Sequence, residues 1–164
     1  MVVWSTESPR DLITAWRIVK TKYAAQAFDG KGARRYGGRW NSPGTSVVYV
    51  AESRALAALE MLVHLQSSEI LKSYSMIPVA FPGDLITTVT REDLPNDWRA
   101  FPTPAALQTI GDEWVARSDS LVLKVPSVAI DEEHDYLINP EHSDFPKILI
   151  GTPEPFEFDR RLIK

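Results

Sequence analysis

Short apolar runs rich in β-branched and aromatic residues recur along the whole chain, and they limit the folds that it can adopt. Each run is bounded by glycine, proline or polar residues, as is typical of β-strands. The runs cover residues 16–19, 47–50, 74–81, 85–90, 121–125, 136–138, 148–150 and 156–158. Because the helical patterns do not alternate regularly with these strands, we expect an α+β fold with a mixed or antiparallel sheet.

Two segments show the spacing of amphipathic helices. Ser53 is a suitable N-cap for a helix over about residues 54–66. The side chains predicted to form its apolar face are Leu56, Leu59, Leu62 and Val63. Thr103 and Pro104 mark the start of a second helix, with proline at the first helical position, which we expect to end near Arg117.

Composition narrows the class of protein further. A chain of 164 residues is the size of one domain, which we expect to span residues 1–164. The net charge of −4 argues against a general nucleic-acid binder. With no cysteine in the chain, disulfides, thiolate zinc sites and cysteine nucleophiles are excluded. Neither a membrane span nor a secretory signal is apparent, so we expect a cytoplasmic protein.

The segment 28–41 combines four glycines with cationic residues, and no acid occurs from Lys31 to Arg39. We expect a loop there, because glycine permits unusual backbone conformations. Arginine binds phosphates through its planar fork, and Tyr36 and Trp40 could stack on a ring. A solvated, positively charged hairpin explains the same pattern. With no Walker motif and no GxGxxG, the spacing alone identifies no nucleotide.

Several other polar residues occupy positions that are consistent with either a functional or a structural role. Arg17 lies within an apolar strand, where a charge needs a partner or a ligand. Glu60 lies at the edge of the apolar helix face, so it is either paired with a cation or placed in a cleft. Tyr49 fits a core position with its hydroxyl at the rim. Ser127 and Asn139 follow strands, where hydroxyl and amide groups serve either a turn or a ligand.

Metal chemistry has little support in the sequence. The three histidines show no spacing of the HExxH kind, and the acidic run at residues 131–133 is best explained as a solvated turn. We therefore expect no metal site.

Taken together, these segments resemble the RES domain, the toxin half of RES–Xre toxin–antitoxin pairs. The family is named for an arginine, a glutamate and a serine, which match Arg39, Glu60 and Ser127. The supporting segments occur in family order and cover most of the chain, at residues 16–18, 37–41, 48–52, 57–60, 125–127 and 137–140.

The resemblance implies a fold related to ADP-ribosyltransferases and cleavage of NAD by hydrolysis or phosphorolysis. NAD is then the substrate, phosphate an optional co-substrate, and no further cofactor is expected. The catalytic set would be Arg39, Tyr49 and Glu60. The residues expected to contact NAD are Arg17, Tyr36, Trp40, Ser127 and Asn139. An Xre-type antitoxin would cover the site and provide the link to nucleic acid, and the edge strands permit a homodimer.

Three alternatives remain open at this point. The first is mono-ADP-ribosylation of a protein, although Ala58 stands where such transfer enzymes often carry a second acidic residue, two positions before the glutamate. The second is a ribonuclease-type toxin that uses the cationic segment. The third is a non-catalytic domain that binds a partner protein.

Overall fold

A computed structural model describes residues 11–162, in which eight strands form one mixed sheet. The strands are β1 (Leu12–Lys20), β2 (Val48–Ala51), β3 (Tyr74–Pro82), β4 (Ile86–Thr88), β5 (Val122–Pro126), β6 (His134–Ile138), β7 (Leu149–Ile150) and β8 (Glu154–Phe156). Their order is β4-β5-β6-β2-β1-β3-β7, and β8 also pairs with β3. The β4–β5 pair is parallel and the others are antiparallel. The predicted α+β class with a mixed sheet is therefore confirmed.

Three α-helices accompany the sheet: α1 (Lys31–Tyr36), α2 (Arg54–Leu62) and α3 (Ala105–Arg117). The predicted N-cap of α2 is confirmed, because the Ser53 hydroxyl accepts a hydrogen bond from the Leu56 N–H at 3.0 Å. Helix α3 begins at Ala105, one residue later than predicted, so Pro104 is its N-cap residue rather than its first helical residue. The expectation of a loop throughout residues 28–41 was wrong, since α1 forms between two left-handed glycines, Gly30 and Gly37.

Both faces of the sheet are buried, which accounts for the continuous apolar runs in its strands. On one face lies a first core, to which β2 contributes Val48 and Val50. The opposite face carries two separate cores. The second core lies beneath α2 and includes Ala51 and Leu56, and the third lies beneath α3 and includes Leu107.

The predicted apolar face of α2 was only partly correct. Leu56 and the neighbouring Ala57 are buried, whereas Leu59 is 38% exposed and Val63 is 67% exposed. The helix is rotated so that Leu56 and Ala57 face the sheet, and it ends at Leu62 rather than near residue 66. Glu60 follows these two residues by four and three positions, so it lies on the buried face of the helix.

Within residues 11–162, no helix is both long and apolar enough to cross a membrane. The N-terminal pattern that argues against a secretory signal lies outside the described residues.

Close packing of α3 against the cationic segment yields a test of the fold. A Cβ added to Gly111 would lie 1.7 Å from the Trp40 carbonyl oxygen, so Gly111→Ala should lower the free energy of unfolding by about 2 kcal/mol or more. Gly32→Ala in α1 is the matched control, because its Cβ would meet no atom within 4 Å. Alanine favours the helix by up to about 1 kcal/mol there, so the control should be neutral or stabilised. Equal urea unfolding midpoints for the two variants would contradict this packing.

Candidate active site

The residues of interest meet on one face of the sheet, in the space between the second and third cores. Tyr49 in β2 packs at the margin of the third core, and Ala51, two residues later on the same face, belongs to the second. The strand thus carries Tyr49 and Ala51 on the face where α2 lies on one side and the cationic segment on the other. Glu60 on α2 and Arg39 in the cationic segment are close enough to interact electrostatically, and we call the space between these two elements the cleft.

Tyr49 attaches the cationic segment to the sheet. Its hydroxyl donates a hydrogen bond to Asn41 Oδ1 at 2.6 Å and accepts one from the Trp40 N–H at 3.1 Å. Burial raises the pKa of the Tyr49 phenol well above its usual range, so the hydroxyl stays protonated and able to donate. Gly38 permits this approach, because a Cβ there would lie 2.7 Å from the phenol oxygen.

Asn41 holds the turn that carries the arginine. Its side chain is fully buried, and its amide nitrogen donates to the carbonyls of Ala33, Ser42 and Thr45 at 2.9, 3.2 and 3.0 Å. Every polar atom of this side chain is therefore used, as burial requires. The sequence interpretation included Asn41 in the family pattern without assigning it this role.

Arg39 is a half-buried cation with no carboxylate partner among residues 11–162. Its Nη1 donates to the carbonyls of Trp98 and Ala100 at 3.1 and 3.3 Å, which fixes the guanidinium beside the cleft. Burial lowers the pKa of Arg39, and the charge of Glu60 acts in the opposite direction. Glu60 is thus close enough to interact electrostatically, yet the two residues form no direct ion pair. The guanidinium retains donors for an anionic ligand.

Glu60 and Ser127 are joined by a direct hydrogen bond. The Ser127 hydroxyl donates to Glu60 Oε1 at 2.9 Å and accepts from the N–H groups of Ala129 and Ile130 at 3.1 and 3.2 Å. Ser127 is 1% exposed, so its orientation is set by these bonds. It therefore stabilises the turn after β5 and orients the glutamate, and its contact with NAD stays a prediction.

Asp135 is a residue of this site that the sequence analysis missed. It lies in β6 opposite Ala51 and Val125, on the face that carries Tyr49, and it hydrogen-bonds with Glu60. Burial and the Glu60 carboxylate raise the pKa of Asp135 to about 9. The available signal was its alternation with the apolar β6 residues, which places it on the same face as Leu137.

The guanidinium of Arg17 in β1 is buried, whereas a residue that binds the phosphates of a ligand would lie at the surface. Its Nη1 donates to the Tyr49 carbonyl at 2.8 Å, and its buried Nε has no hydrogen-bond partner in the structure. Burial lowers the pKa of Arg17 to about 10, against the opposing effect of Asp29. The structure thus places Arg17 next to the Tyr49 backbone rather than beside Arg39, and its role toward NAD stays a prediction.

The other three expected contact residues are more dispersed. Tyr36 is 74% exposed, with the Arg35 guanidinium 5.2 Å from its ring centre. The Trp40 ring is 2% exposed and packs in the third core, so stacking on a ligand was the wrong role for it; only its backbone N–H contacts Tyr49. Asn139 lies beyond the other end of β6 from Asp135, and its Oδ1 accepts from the Glu141 N–H at 3.0 Å.

The described residues contain no group of three or more potential metal-ligating side chains.

Comparison with known proteins decides the family. The model of the RES domain matches residues 14–159. A protein named Toxin Res from Yersinia enterocolitica is 40% identical over 148 residues, which are 90% of this chain and 97% of the relative. This chain belongs to the RES domain family.

Two further similarities bear on this RES domain. A protein named Prs ADP-ribosylating toxin, from a Sphingobium species, is 35% identical over 91% of this chain and 96% of the relative. A chain in the crystal structure of the M. tuberculosis MbcT–MbcA toxin–antitoxin complex aligns with a TM-score of 0.72 at 18% identity. That alignment covers 90% of this chain and 86% of the other, so the RES domain shares its fold.

The hydrogen bonds of Tyr49 lead to a prediction for the RES site. Tyr49→Phe leaves the buried Asn41 oxygen without its donor and the Trp40 N–H without its acceptor. We expect a loss of about 2 kcal/mol in the free energy of unfolding. Tyr23→Phe is the control, because Tyr23 is 52% exposed and should tolerate the change within about 0.5 kcal/mol. Chemical denaturation measures both, and equal stability of the two variants would contradict a linking role for the Tyr49 hydroxyl.

Proposed function

We propose that this RES domain is the toxin of a toxin–antitoxin pair and that it cleaves the nicotinamide–ribose bond of NAD by hydrolysis or phosphorolysis. The observation that carries the proposal is the pairing of opposite charges across one cleft without a direct ion pair. Arg39 offers unused donors on one side, and Glu60 offers a carboxylate oriented by Ser127 on the other.

The Arg39 cation and the Glu60 carboxylate are complementary to two parts of NAD, the pyrophosphate and the ribose. The pyrophosphate carries negative charge, which a guanidinium binds through charge-assisted hydrogen bonds. Cleavage develops positive charge on the ribose, as in glycoside hydrolysis, and a carboxylate stabilises that charge. Glu60 would act there through its charge and through hydrogen bonds to ribose hydroxyls.

The leaving group explains why so few catalytic groups suffice. When the bond from C1′ to the pyridinium nitrogen breaks, its electron pair stays with nitrogen and nicotinamide departs neutral. The leaving group therefore needs no proton from a general acid. An oxygen of water or phosphate bonds to C1′, and the proton of the attacking water is released to solvent. No metal, thiolate or histidine is needed for this sequence of bond changes.

The toxin role is supported by the relatives. Proteins named Toxin Res from Yersinia enterocolitica and Photorhabdus laumondii match nearly the full chain, and the MbcT–MbcA structure is a complex with an antitoxin. We infer an antitoxin partner, of Xre type as the family resemblance implies, that covers the cleft. Phe101, 92% exposed and next to the Ala100 carbonyl that binds Arg39, offers an apolar contact beside the site.

Release of nicotinamide from NAD by the purified protein tests the activity. Glu60→Gln should lower kcat by about 100-fold, because it removes the charge that stabilises the transition state. Arg39→Ala should raise KM about tenfold or more, because it removes a charged grip on the substrate. Glu113→Gln and Arg117→Ala are matched controls, since these residues form an exposed ion pair on α3 away from the cleft.

The outcome also decides between acceptors. No nicotinamide release by the wild type, or undiminished release by Glu60→Gln, would refute the proposal. Adding phosphate and identifying the product as ADP-ribose or its 1-phosphate distinguishes hydrolysis from phosphorolysis.

Mono-ADP-ribosylation of a protein is the second candidate, favoured by the relative named Prs ADP-ribosylating toxin. Against it, Ala58 packs on the second core and provides no acidic side chain two positions before Glu60. Incubation with NAD labelled in the adenylate part separates the two reactions. Label retained on a protein band would favour transfer over NAD degradation.

A further inference from the structure

Two carboxyl groups meet in the cleft, and the reaction proposed above uses only one of them. Asp135 hydrogen-bonds with Glu60, and Ser127 donates to Oε1 of the same glutamate. Ionised carboxylates only accept hydrogen bonds, so a bond between two carboxyl groups requires a proton on one of them. The geometry therefore implies that the pair holds one proton and one negative charge.

The surrounding charges decide which residue carries the proton. The groups that act on Asp135 are acidic: Glu60 on α2, Glu52 after β2 and Glu133 before β6. His134 lies next in the chain, but its ring is directed to Glu52, with Nδ1 3.4 Å from that carboxylate. Asp135 forms no ion pair with any cation among residues 11–162.

Glu60, in contrast, faces a cation. The Arg39 guanidinium interacts electrostatically with Glu60, whereas the groups that act on Asp135 are acidic. The neutral Tyr49 phenol completes the surroundings of Asp135. Burial and the acidic groups around it raise the pKa of Asp135 to about 9, so its carboxyl is protonated at neutral pH, whereas the Arg39 cation faces Glu60.

We propose that Asp135 is a positioning residue whose protonated carboxyl donates a hydrogen bond to Glu60. Together with the Ser127 hydroxyl, this donor holds the Glu60 carboxylate toward the ribose of the substrate. A carboxylate held by two donors loses the freedom to turn away from the developing positive charge, and its charge is preserved. This inference rests on the proposed cleavage of NAD.

The proposal predicts a fall in kcat at alkaline pH. Once Asp135 ionises, at a pH of about 9, its hydrogen bond to Glu60 is lost and two negative charges repel each other. Asp135→Asn replaces the O–H donor by an N–H donor that cannot ionise. This variant should keep most of the wild-type kcat at neutral pH and should lack the alkaline decline.

A second variant and a control complete the kinetic test. Asp135→Ala removes the donor, so its kcat should be about tenfold lower than that of the wild type at neutral pH, with KM little changed. Asp119→Asn changes an exposed carboxyl before β5, at the opposite end of that strand from the Val125–Asp135 pair, and should keep the wild-type pH profile. The proposal is wrong if Asp135→Asn retains the wild-type alkaline decline, or if it is folded and as impaired as Asp135→Ala.

A measurement without NAD tests the shared proton by itself. An unfolded aspartate has a pKa of about 3.9. The folded protein therefore retains a proton that the unfolded chain releases at neutral pH, so Asp135 makes the wild type less stable as pH rises from about 4 to about 9. Asp135→Asn lacks this dependence, and its Tm relative to the wild type should increase steadily over that range.

The two measurements separate the two proposals. A Tm difference that does not change with pH would show that Asp135 is ionised in the folded protein, which overturns the positioning role. A Tm difference that grows with pH in a protein that releases no nicotinamide would support the shared proton and refute the proposed cleavage of NAD.

Discussion

The hydroxyl group of Tyr49 is the contact on which the arrangement of the site depends. It joins a central strand to the cationic segment through Asn41 and through the Trp40 N–H, the residue next to Arg39. Asn41 in turn bonds the carbonyls of Ala33 and Thr45, so the phenol links the central strand to a hydrogen-bonded segment, which Gln108 of α3 also holds through the Gly38 and Asn41 carbonyls. The position of the Arg39 cation is thus a consequence of a buried hydrogen-bond network rather than of an ion pair.

The way Arg39 and Glu60 are held explains why both charges remain available to a ligand. In a direct ion pair, the two side chains would use their charges and hydrogen-bonding groups on each other, and few would remain to bind a substrate. Instead, carbonyl groups of Trp98 and Ala100 hold the cation, and the Ser127 hydroxyl holds the anion. These neutral partners orient the charges without cancelling them, which is what preorganised electrostatic stabilisation requires.

The sequence predicted the strands and the start of α2, because alternation and capping are local signals. It could not determine which of two adjacent stripes of α2 faces the sheet, so Leu59 and Val63 were misplaced. For Trp40, an aromatic residue among cations is compatible both with stacking on a ligand and with packing in a core. Only the tertiary structure shows that the ring packs in the core beneath α3. Asp135 was missed because an acid at a strand end usually faces solvent, and its partner Glu60 is distant in sequence.

The pairing of the central strands explains why a side chain binds the Tyr49 carbonyl. β1 pairs with β3 along its full length, from Leu12 to Lys20, but with β2 at the single pair Trp16–Ala51. Beyond that pair, the Arg17 guanidinium donates to the Tyr49 carbonyl. In a continuous antiparallel ladder, a backbone N–H of the neighbouring strand would donate to such a carbonyl. The Tyr49 carbonyl is therefore satisfied by a side chain rather than by the backbone of β1, while the hydroxyl of the same residue holds the cationic segment through Asn41. One residue of β2 thus connects two arginine-bearing segments, β1 through its backbone and residues 28–41 through its side chain.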